Sequence, residues 1–228
     1  MIDVTFMIAT NRPFTSHSIK TVESINRVNS MGYTFEILIY STEKCEGKNV
    51  RWVEEKDCIG PLKGLNILAR QAEGRYLFSL MDDCMVDNNI FQLCEILETD
   101  EMKNMHVPVT SPGHHGHPHY CVHNTNWPIL GNPVLKTETL YKVLEGHLFH
   151  PGFYYHCADN WIPWFAGMKG DKPVVQTCSN LMLFDADNSK NPRKNYDIAV
   201  LKWLQENWDG TYLSGWNEDV EKAIQSGC

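Results

Sequence analysis

Two adjacent carboxylates follow an apolar run in the segment EGRYLFSLMDDCMVDNN, which covers residues 73–89. The run reads as a buried strand, and it ends at Asp82 and Asp83, with Asp87 four residues later. Like charges that lie side by side are costly unless a positive partner neutralises them. A divalent cation such as Mg²⁺ or Mn²⁺ would be a suitable partner, because it binds carboxylates and phosphates together. The alternative is a hydrated turn whose aspartates favour the N-terminus of a following helix.

Composition restricts the class of protein. The chain has 228 residues and a net charge of −8, so we expect one large domain and no nucleic-acid partner. No apolar run approaches the ~20 residues of a membrane span, and the N-terminus lacks the features of a signal peptide. The eight cysteines form no CxxC pair, which is typical of reduced thiols. We expect a cytoplasmic protein without a transmembrane segment, peripheral to a membrane at most.

Strands and helices alternate over the first hundred residues. They are predicted, in chain order, at 2–9, 15–30, 35–41, 50–55, 60–74, 75–81 and about 88–98. Thr15 or Ser16 is expected to cap the first helix, and Gly74 to end the second. The alternation predicts an α/β fold with a mostly parallel, Rossmann-like central sheet and helices on both faces.

Ligands of parallel sheets bind outside the carboxyl ends of the strands. Three polar segments follow predicted strands, at residues 10–13, 40–42 and 82–84. We therefore expect these segments to form one binding site.

The second half of the chain has a different character. Six of the ten histidines lie between His106 and His123, among prolines and glycines, and this segment is predicted to be a long loop. A short strand and a helix follow in NPVLKTETLYKVLEG. A helix near 157–168, a strand within 173–184 and a helix at 196–208 complete the chain. With no internal repeat or linker, residues 1–228 are expected to form a single domain with an elaborated C-terminal half.

The residues around the carboxylate pair resemble nucleotide-sugar glycosyltransferases of the GT-A fold, most of all their family-2 group. The resemblance rests on the order Gly64, Asn66, Ala72, Gly74, Tyr76, Leu77, Leu80, Asp82, Asp83 and on the opening turn IATNRP. It covers about residues 3–90 and resumes at 130–180. It implies a nucleotide-sugar-binding half at about 1–100 and an acceptor-binding half at about 101–228. The implied activity is sugar transfer from a nucleotide-diphospho-sugar, with a UDP-sugar as the default donor, to a glycan or other hydroxyl acceptor.

The resemblance also implies donor-site residues. Asp83 matches the last acid of the family's D-x-D motif, which contacts the Mn²⁺ or Mg²⁺ ion, and Asp82 matches its middle position. Met81 stands where the first acid commonly touches ribose. Tyr40 stands where the family often has an aspartate that contacts the base. The other implied donor-binding residues are Thr10, Asn11, Arg12, Lys63 and Asn66, of which Arg12 and Lys63 are candidates for a phosphate or base contact.

Asp159 matches the general base of the family's E-D pair, with Ala158 in place of the glutamate. A sugar hydroxyl is a poor nucleophile, and base assistance is worth roughly 10²–10⁴-fold in rate. A base that acts opposite the leaving group implies inversion at the anomeric carbon. The alternative is that Asp159 caps a helix that begins near Asn160.

Aromatic, histidine and basic residues are candidates on the acceptor side. Trp127 and His119 are expected to contact the acceptor sugar, while Trp161 and Trp164 are read mainly as core residues. The histidine-rich loop has two alternatives, a zinc site and a polar surface loop. A basic loop with Arg193 and Lys194 is expected to fold over the diphosphate, with a hydrated surface loop as its alternative.

Three other functions compete with the transferase. A sugar nucleotidyltransferase would carry a glycine-rich loop after the first strand, and TNRPFTSHS has no glycine. A non-catalytic carbohydrate- or nucleotide-binding domain of the same fold would explain Met81 and Ala158. A metallohydrolase built on the histidine-rich loop would retain zinc through purification.

Overall fold

The computed structural model describes residues 1–56, 59–82, 84–86, 90–99, 109–110, 133–154, 158–169, 182–183 and 194–227. The elements are, in chain order, β1 (Val4–Ala9), α1 (Ser18–Arg27), β2 (Phe35–Ser41), β3 (Val50–Glu54), α2 (Pro61–Gln71), β4 (Tyr76–Leu80), β5 (Cys84–Met85), α3 (Gln92–Leu97), β6 (Val109–Thr110), β7 (Pro133–Lys136), α4 (Thr137–Lys142), α5 (Ala158–Met168), β8 (Met182–Leu183), α6 (Lys194–Glu206) and α7 (Glu218–Gly227). The predicted alternation in the first hundred residues is confirmed.

The main sheet has the strand order β3-β2-β1-β4-β7-β6. β1 pairs in parallel with β2 and β4, and β2 pairs in parallel with β3. β7 is antiparallel to β4 and β6, and β5 with β8 forms a separate antiparallel pair. The carboxyl ends of β1 to β4 therefore lie along one edge of the sheet, where a parallel sheet binds its ligands.

Helices cover both faces of the sheet, as predicted. Alternate residues of a strand point to opposite faces, and β1 sends Phe6 and Ile8 into one apolar cluster and Met7 and Ala9 into another. The first cluster contains residues of α1 and α3, and the second contains residues of α2, α4, α5 and α6. Because both faces are covered, every residue of β1 is buried.

The predicted helix ends are wrong in two places. His17 precedes α1 and makes no side-chain capping hydrogen bond, and the hydroxyl of Ser16 donates to the carbonyl of Pro13 at 3.2 Å. α2 ends at Gln71, three residues before Gly74. A Cβ on Gly74 would lie 2.5 Å from the amide nitrogen of Thr5, so glycine is required there for close approach to β1 and not for ending a helix.

The C-terminal half contributes a cluster of aromatic side chains. Trp161 is fully buried, and Trp164 stacks on it with ring centroids 5.0 Å apart, so both are packing residues, as predicted. None of the helices in the described part of the chain is long and apolar enough to cross a bilayer.

Candidate functional site

A small cleft of about 70 Å³ opens at the carboxyl ends of β1, β2 and β3. It is lined by Ala9, Thr10, Asn11, Tyr40, Glu55, Gly60 and Pro61. Thr10, Asn11 and Tyr40 are predicted donor-binding residues, and the fold brings them together because β1 and β2 are neighbouring parallel strands. The first turn of α2 closes one side of the cleft.

Tyr40 forms a wall of the cleft because α2 carries a glycine where it crosses β2. A Cβ on Gly64 would lie 2.5 Å from Cδ1 of Tyr40 and 3.1 Å from Cβ of Ala9. Real Cβ atoms do not approach that closely, so only glycine lets the tyrosine ring lie against the helix. The Tyr40 side chain is buried in this position.

The positive partner of Asp82 is Arg12. Nε of Arg12 donates to Oδ2 of Asp82 at 2.8 Å, and Nη2 of Arg12 donates to Oδ1. The arginine side chain is 24% exposed and the aspartate side chain 10%, so this bidentate, charge-assisted pair is largely shielded from water. The carboxylate of Asp82 is thus neutralised by a side chain, where the sequence predicts a divalent cation.

Threonine hydroxyls hold this pair in place. Thr10 donates its hydroxyl to Oδ2 of Asp82 and accepts the amide N–H of Arg12 at 3.0 Å. The hydroxyl of Thr21, on α1, donates to the main-chain carbonyl of Asp82 at 3.0 Å. The turn after β1, the end of β4 and α1 are therefore linked at one point beside the cleft.

Glu55 brings a second carboxylate to the cleft and is absent from the predicted site residues. Its amide N–H donates to the carbonyl of Ser41 at 2.9 Å, which extends the β2–β3 pairing by one residue. Its side chain is buried; this burial raises the pKa of the carboxyl, and a hydrogen bond from the N–H of Ile59 acts in the opposite direction. The sequence contains one signal for it, an acid at the end of a strand. Because residues 50–55 are predicted as strand throughout, Glu55 is not among the candidates.

Lys63 and Asn66, two predicted donor-binding residues, do not line the cleft. Nζ of Lys63 lies 3.5 Å from Oε1 of Glu221 and 4.2 Å from the ring centroid of Tyr154. The amide of Asn66 is buried and makes two hydrogen bonds to the main chain of Phe149, donating at 2.7 Å and accepting at 2.9 Å. These contacts tie α2 to the C-terminal half.

Four predicted site residues, Asp83, His119, Trp127 and Arg193, lie outside the described residues. Residue 159 is the second residue of α5, and residue 194 is the first of α6. α5 begins at Ala158, so Asp159 lies inside the helix. The alternative, in which Asp159 caps a helix that begins near Asn160, is therefore wrong. Ala158 is buried in the same apolar cluster as Ala9 and Tyr40, so α5 begins on the face of the sheet that α2 covers.

Among the residues that the structure describes, no group of three His, Cys, Asp or Glu side chains is close enough to hold a metal ion. The predicted ligand Asp83 and the histidines of the histidine-rich loop lie outside the described residues.

No protein-family model and no curated protein matches the sequence. Solved structures do match. The chain resembles residues 1–349 of S. aureus TarS with a TM-score of 0.55 and 12% identity, over 98% of this chain and 69% of that one. It resembles GalNAc-T7, in a crystal structure with UDP, GalNAc and Mn²⁺, with a TM-score of 0.68 and 13% identity, over 99% of this chain and 55% of that one. The fold is that of the GT-A glycosyltransferases.

The predicted fold class is thereby confirmed. TarS 1–349 has also been solved with UDP-GlcNAc, and that structure has a TM-score of 0.55 and 10% identity to this chain. The chain spans 42% of a longer TarS structure. At sequence identities of 10–13%, the similarity to these structures shows the fold alone.

Proposed function

We propose that this protein is a glycosyltransferase that moves a sugar from a nucleotide-diphospho-sugar to an acceptor hydroxyl. The observation that carries the proposal is the cleft at the ends of β1, β2 and β3, which adjoins the Arg12–Asp82 pair. Thr10 belongs to both features. The structures of TarS with UDP-GlcNAc and of GalNAc-T7 with UDP, GalNAc and Mn²⁺ support a donor of this class.

In this proposal the nucleoside lies in the cleft, between the ring of Tyr40 and the turn that carries Thr10 and Asn11. The diphosphate lies toward Arg12, whose guanidinium is paired with Asp82 and is 24% exposed beside the cleft, and a guanidinium is well suited to bind phosphate. A UDP-sugar is the default donor. Residues 1–228 act as one domain, with the donor in the half at about 1–100 and the acceptor in the half at about 101–228.

The proposed metal ligand is Asp83, and the proposed ion is Mn²⁺ or Mg²⁺. Asp82 is already bound by Arg12 and Thr10, so the site suits an ion held by one carboxylate, with diphosphate oxygens and water as its other ligands. When bound, such an ion offsets the negative charge of the departing diphosphate.

The proposed general base is Asp159, near the start of α5. It would remove the proton from the acceptor hydroxyl as that oxygen attacks the anomeric carbon, and the sugar would be transferred with inversion. Trp127 and His119 are proposed to contact the acceptor, and Arg193 and Lys194 to close over the diphosphate. The apolar cluster that joins Ala158 to Ala9 and Tyr40 supports a base on the cleft side of the sheet.

Two observations favour a second candidate, a non-catalytic nucleotide- or carbohydrate-binding domain of the same fold. Ala158 stands where the family has a glutamate, and it is 2% exposed inside the apolar cluster. Met81, in place of the first acid, is 40% exposed. Such a domain would bind the donor without turning it over.

The deciding experiment measures nucleoside diphosphate release from UDP-, GDP-, CDP- and dTDP-sugars with mixed glycan acceptors, with and without Mn²⁺. The expected result is metal-stimulated release from at least one donor that falls about 10²-fold or more in Asp159→Asn. Asp219→Asn, an exposed aspartate that is the second residue of α7, is the matched control and should keep the wild-type rate. Donor binding without release would favour the non-catalytic domain, and absence of both would refute the proposal.

A further inference from the structure

Glu55 is a buried carboxylate in the wall of an open cleft. It is 8% exposed, and burying a charged group is unfavourable unless it is paired. The N–H of Ile59 donates to it, and no Lys, Arg or His within the described ranges forms an ion pair with it. The exposed neighbour Glu54, in contrast, pairs with Lys56 at 3.8 Å. A buried acceptor that faces a binding cleft is suited to a donor on the ligand.

The hydrogen-bonding edges of the bases differ at the position that such a carboxylate would meet. An ionised carboxylate only accepts hydrogen bonds. Uracil and guanine present a ring N–H on their Watson–Crick edge, whereas cytosine and adenine present an unprotonated ring nitrogen there, beside an exocyclic amino group that can donate. A carboxylate placed at the ring position therefore attracts the first two bases, and it repels the ring nitrogen of the other two even when it accepts from their amino group.

The geometry points to Glu55 as the residue that selects the donor's nucleobase, by accepting the ring N–H of uracil or guanine and rejecting cytosine and adenine. This inference rests on the proposed function, since it requires a nucleotide in the cleft. Tyr40 lines the same cleft, and Glu55 lies near it because the Glu55 amide pairs with Ser41, the residue after Tyr40. A site that is built to accept a ligand N–H strongly rejects a ligand that lacks it.

The first experiment uses the wild-type protein and measures Kd by calorimetry for UDP, GDP, CDP and ADP with Mn²⁺ at about pH 8, where glutamate is normally ionised. UDP or GDP is expected to bind at least about tenfold more tightly than CDP and ADP. The N-methylated form of the preferred nucleotide, 3-methyl-UDP or 1-methyl-GDP, should lose at least about tenfold in affinity, because methylation removes the donor.

The second experiment repeats the series with Glu55→Gln. An amide can donate as well as accept, so the preference for UDP or GDP over CDP and ADP should shrink to less than about threefold. Glu54→Gln, at the last residue of β3, removes an exposed carboxylate one residue away and should keep the wild-type ranking.

The outcomes separate this inference from the proposed function. If no nucleoside diphosphate binds the wild-type protein, the proposed function fails and the inference fails with it. If nucleotides bind but all four bases bind equally, or if Glu55→Gln keeps the wild-type ranking, the assignment of Glu55 is overturned while the proposed function stands. If Glu55→Gln does not fold, the wild-type ranking and the methylated nucleotide decide the question.

Discussion

Arg12 and Asp82 follow two adjacent strands, β1 and β4, and their side chains meet beside the cleft. Each satisfies the other's charge, and Thr10 satisfies a further lone pair of the carboxylate. A charged side chain that is shielded from water is strongly destabilising once its partner is removed. The pair therefore supports both the strand ends and the electrostatics of the cleft.

Arg12→Ala is expected to lower the free energy of unfolding by about 2 kcal/mol, because it leaves the Asp82 carboxylate without its cation. Chemical denaturation measures this loss. Arg27→Ala removes an arginine from an exposed pair with Glu23 and should change stability by less than about 0.5 kcal/mol. Equal effects of the two substitutions would show that the Arg12–Asp82 pair adds no more than a surface ion pair.

Burial of Glu55 predicts a pH dependence. The pKa of this carboxyl is raised in the folded protein, so the folded state binds the proton more tightly than the unfolded state does. The protein therefore loses stability as the pH rises from the ordinary pKa of a glutamate through the raised pKa of Glu55. Glu55→Gln removes this loss. The melting temperature of the variant relative to wild type should therefore be higher at about pH 8 than at about pH 4. A difference in melting temperature that is the same at both pH values would contradict the burial of a titrating carboxyl.

At the scale of elements, α2 is positioned by contacts at both of its faces. Gly64 lets it approach Tyr40 and Ala9, and Asn66 ties it to the main chain of Phe149. The first contact shapes the cleft, and the second joins the N-terminal half to the C-terminal half. The two contacts predict different consequences of substitution.

Gly64→Ala is expected to destabilise the protein by about 1–3 kcal/mol and to weaken nucleotide binding, because the new methyl group displaces the ring of Tyr40. Denaturation and calorimetry measure the two effects. Gly227→Ala is the control, since a Cβ there meets no atom within 4 Å. Wild-type affinity in a folded Gly64→Ala protein would contradict the role of Tyr40 as a wall of the site.

Asn66→Ala is expected to lower stability by about 2–3 kcal/mol, because it leaves a buried N–H and a buried carbonyl of Phe149 unpaired. Its nucleotide affinity should stay within about threefold of wild type, since Asn66 does not line the cleft. Asn66→Asp can still accept the N–H of Phe149, but it places a buried, unpaired carboxylate against the Phe149 carbonyl, so its stability should be no higher than that of Asn66→Ala. A large loss of affinity with little loss of stability would instead support the donor contact that the resemblance implies.

The strands and helices of the first hundred residues were predictable because their apolar patterns are long and regular. The role of Gly74 was not, because a glycine after a helix is also typical of a helix end, and only the pairing of β1 with β4 shows that Thr5 lies against it. Glu55 was missed for a related reason. The sequence does not state that β3 lies next to β2, and only that pairing brings Glu55, the residue that follows β3, near Tyr40.

The pairing of Asp82 with Arg12 could not be predicted from the sequence either. Carboxylates in sequence indicate a cation, but Arg12 lies 70 residues away in the chain. The strand order β2-β1-β4 brings the two together, and a resemblance in local motifs does not reveal that an arginine pairs with Asp82.

At the scale of the whole molecule, the sheet separates two apolar clusters, and the cleft lies at the edge where its parallel strands end. α7 reaches back to this edge, because Glu221 contacts Lys63 of α2 and accepts a hydrogen bond from the hydroxyl of Tyr154 at 3.3 Å. α7 and the N-terminal half are thus held together near the first turn of α2. The central claim is that the cleft beside this turn binds a nucleoside diphosphate.

The most direct measurement of that claim is a thermal-shift titration with UDP, GDP, CDP and dTDP, each with and without Mn²⁺. At about 100-fold excess over Kd, the bound nucleotide should raise the melting temperature by about 5 °C, and the Mn²⁺-dependent part of that rise should vanish in Asp83→Ala. Asn11→Trp, which fills the cleft from an exposed lining position, should abolish the shift, while Gln71→Trp, at the far end of α2, should keep it. A shift that survives in Asn11→Trp, or no shift with any nucleotide, would contradict the account.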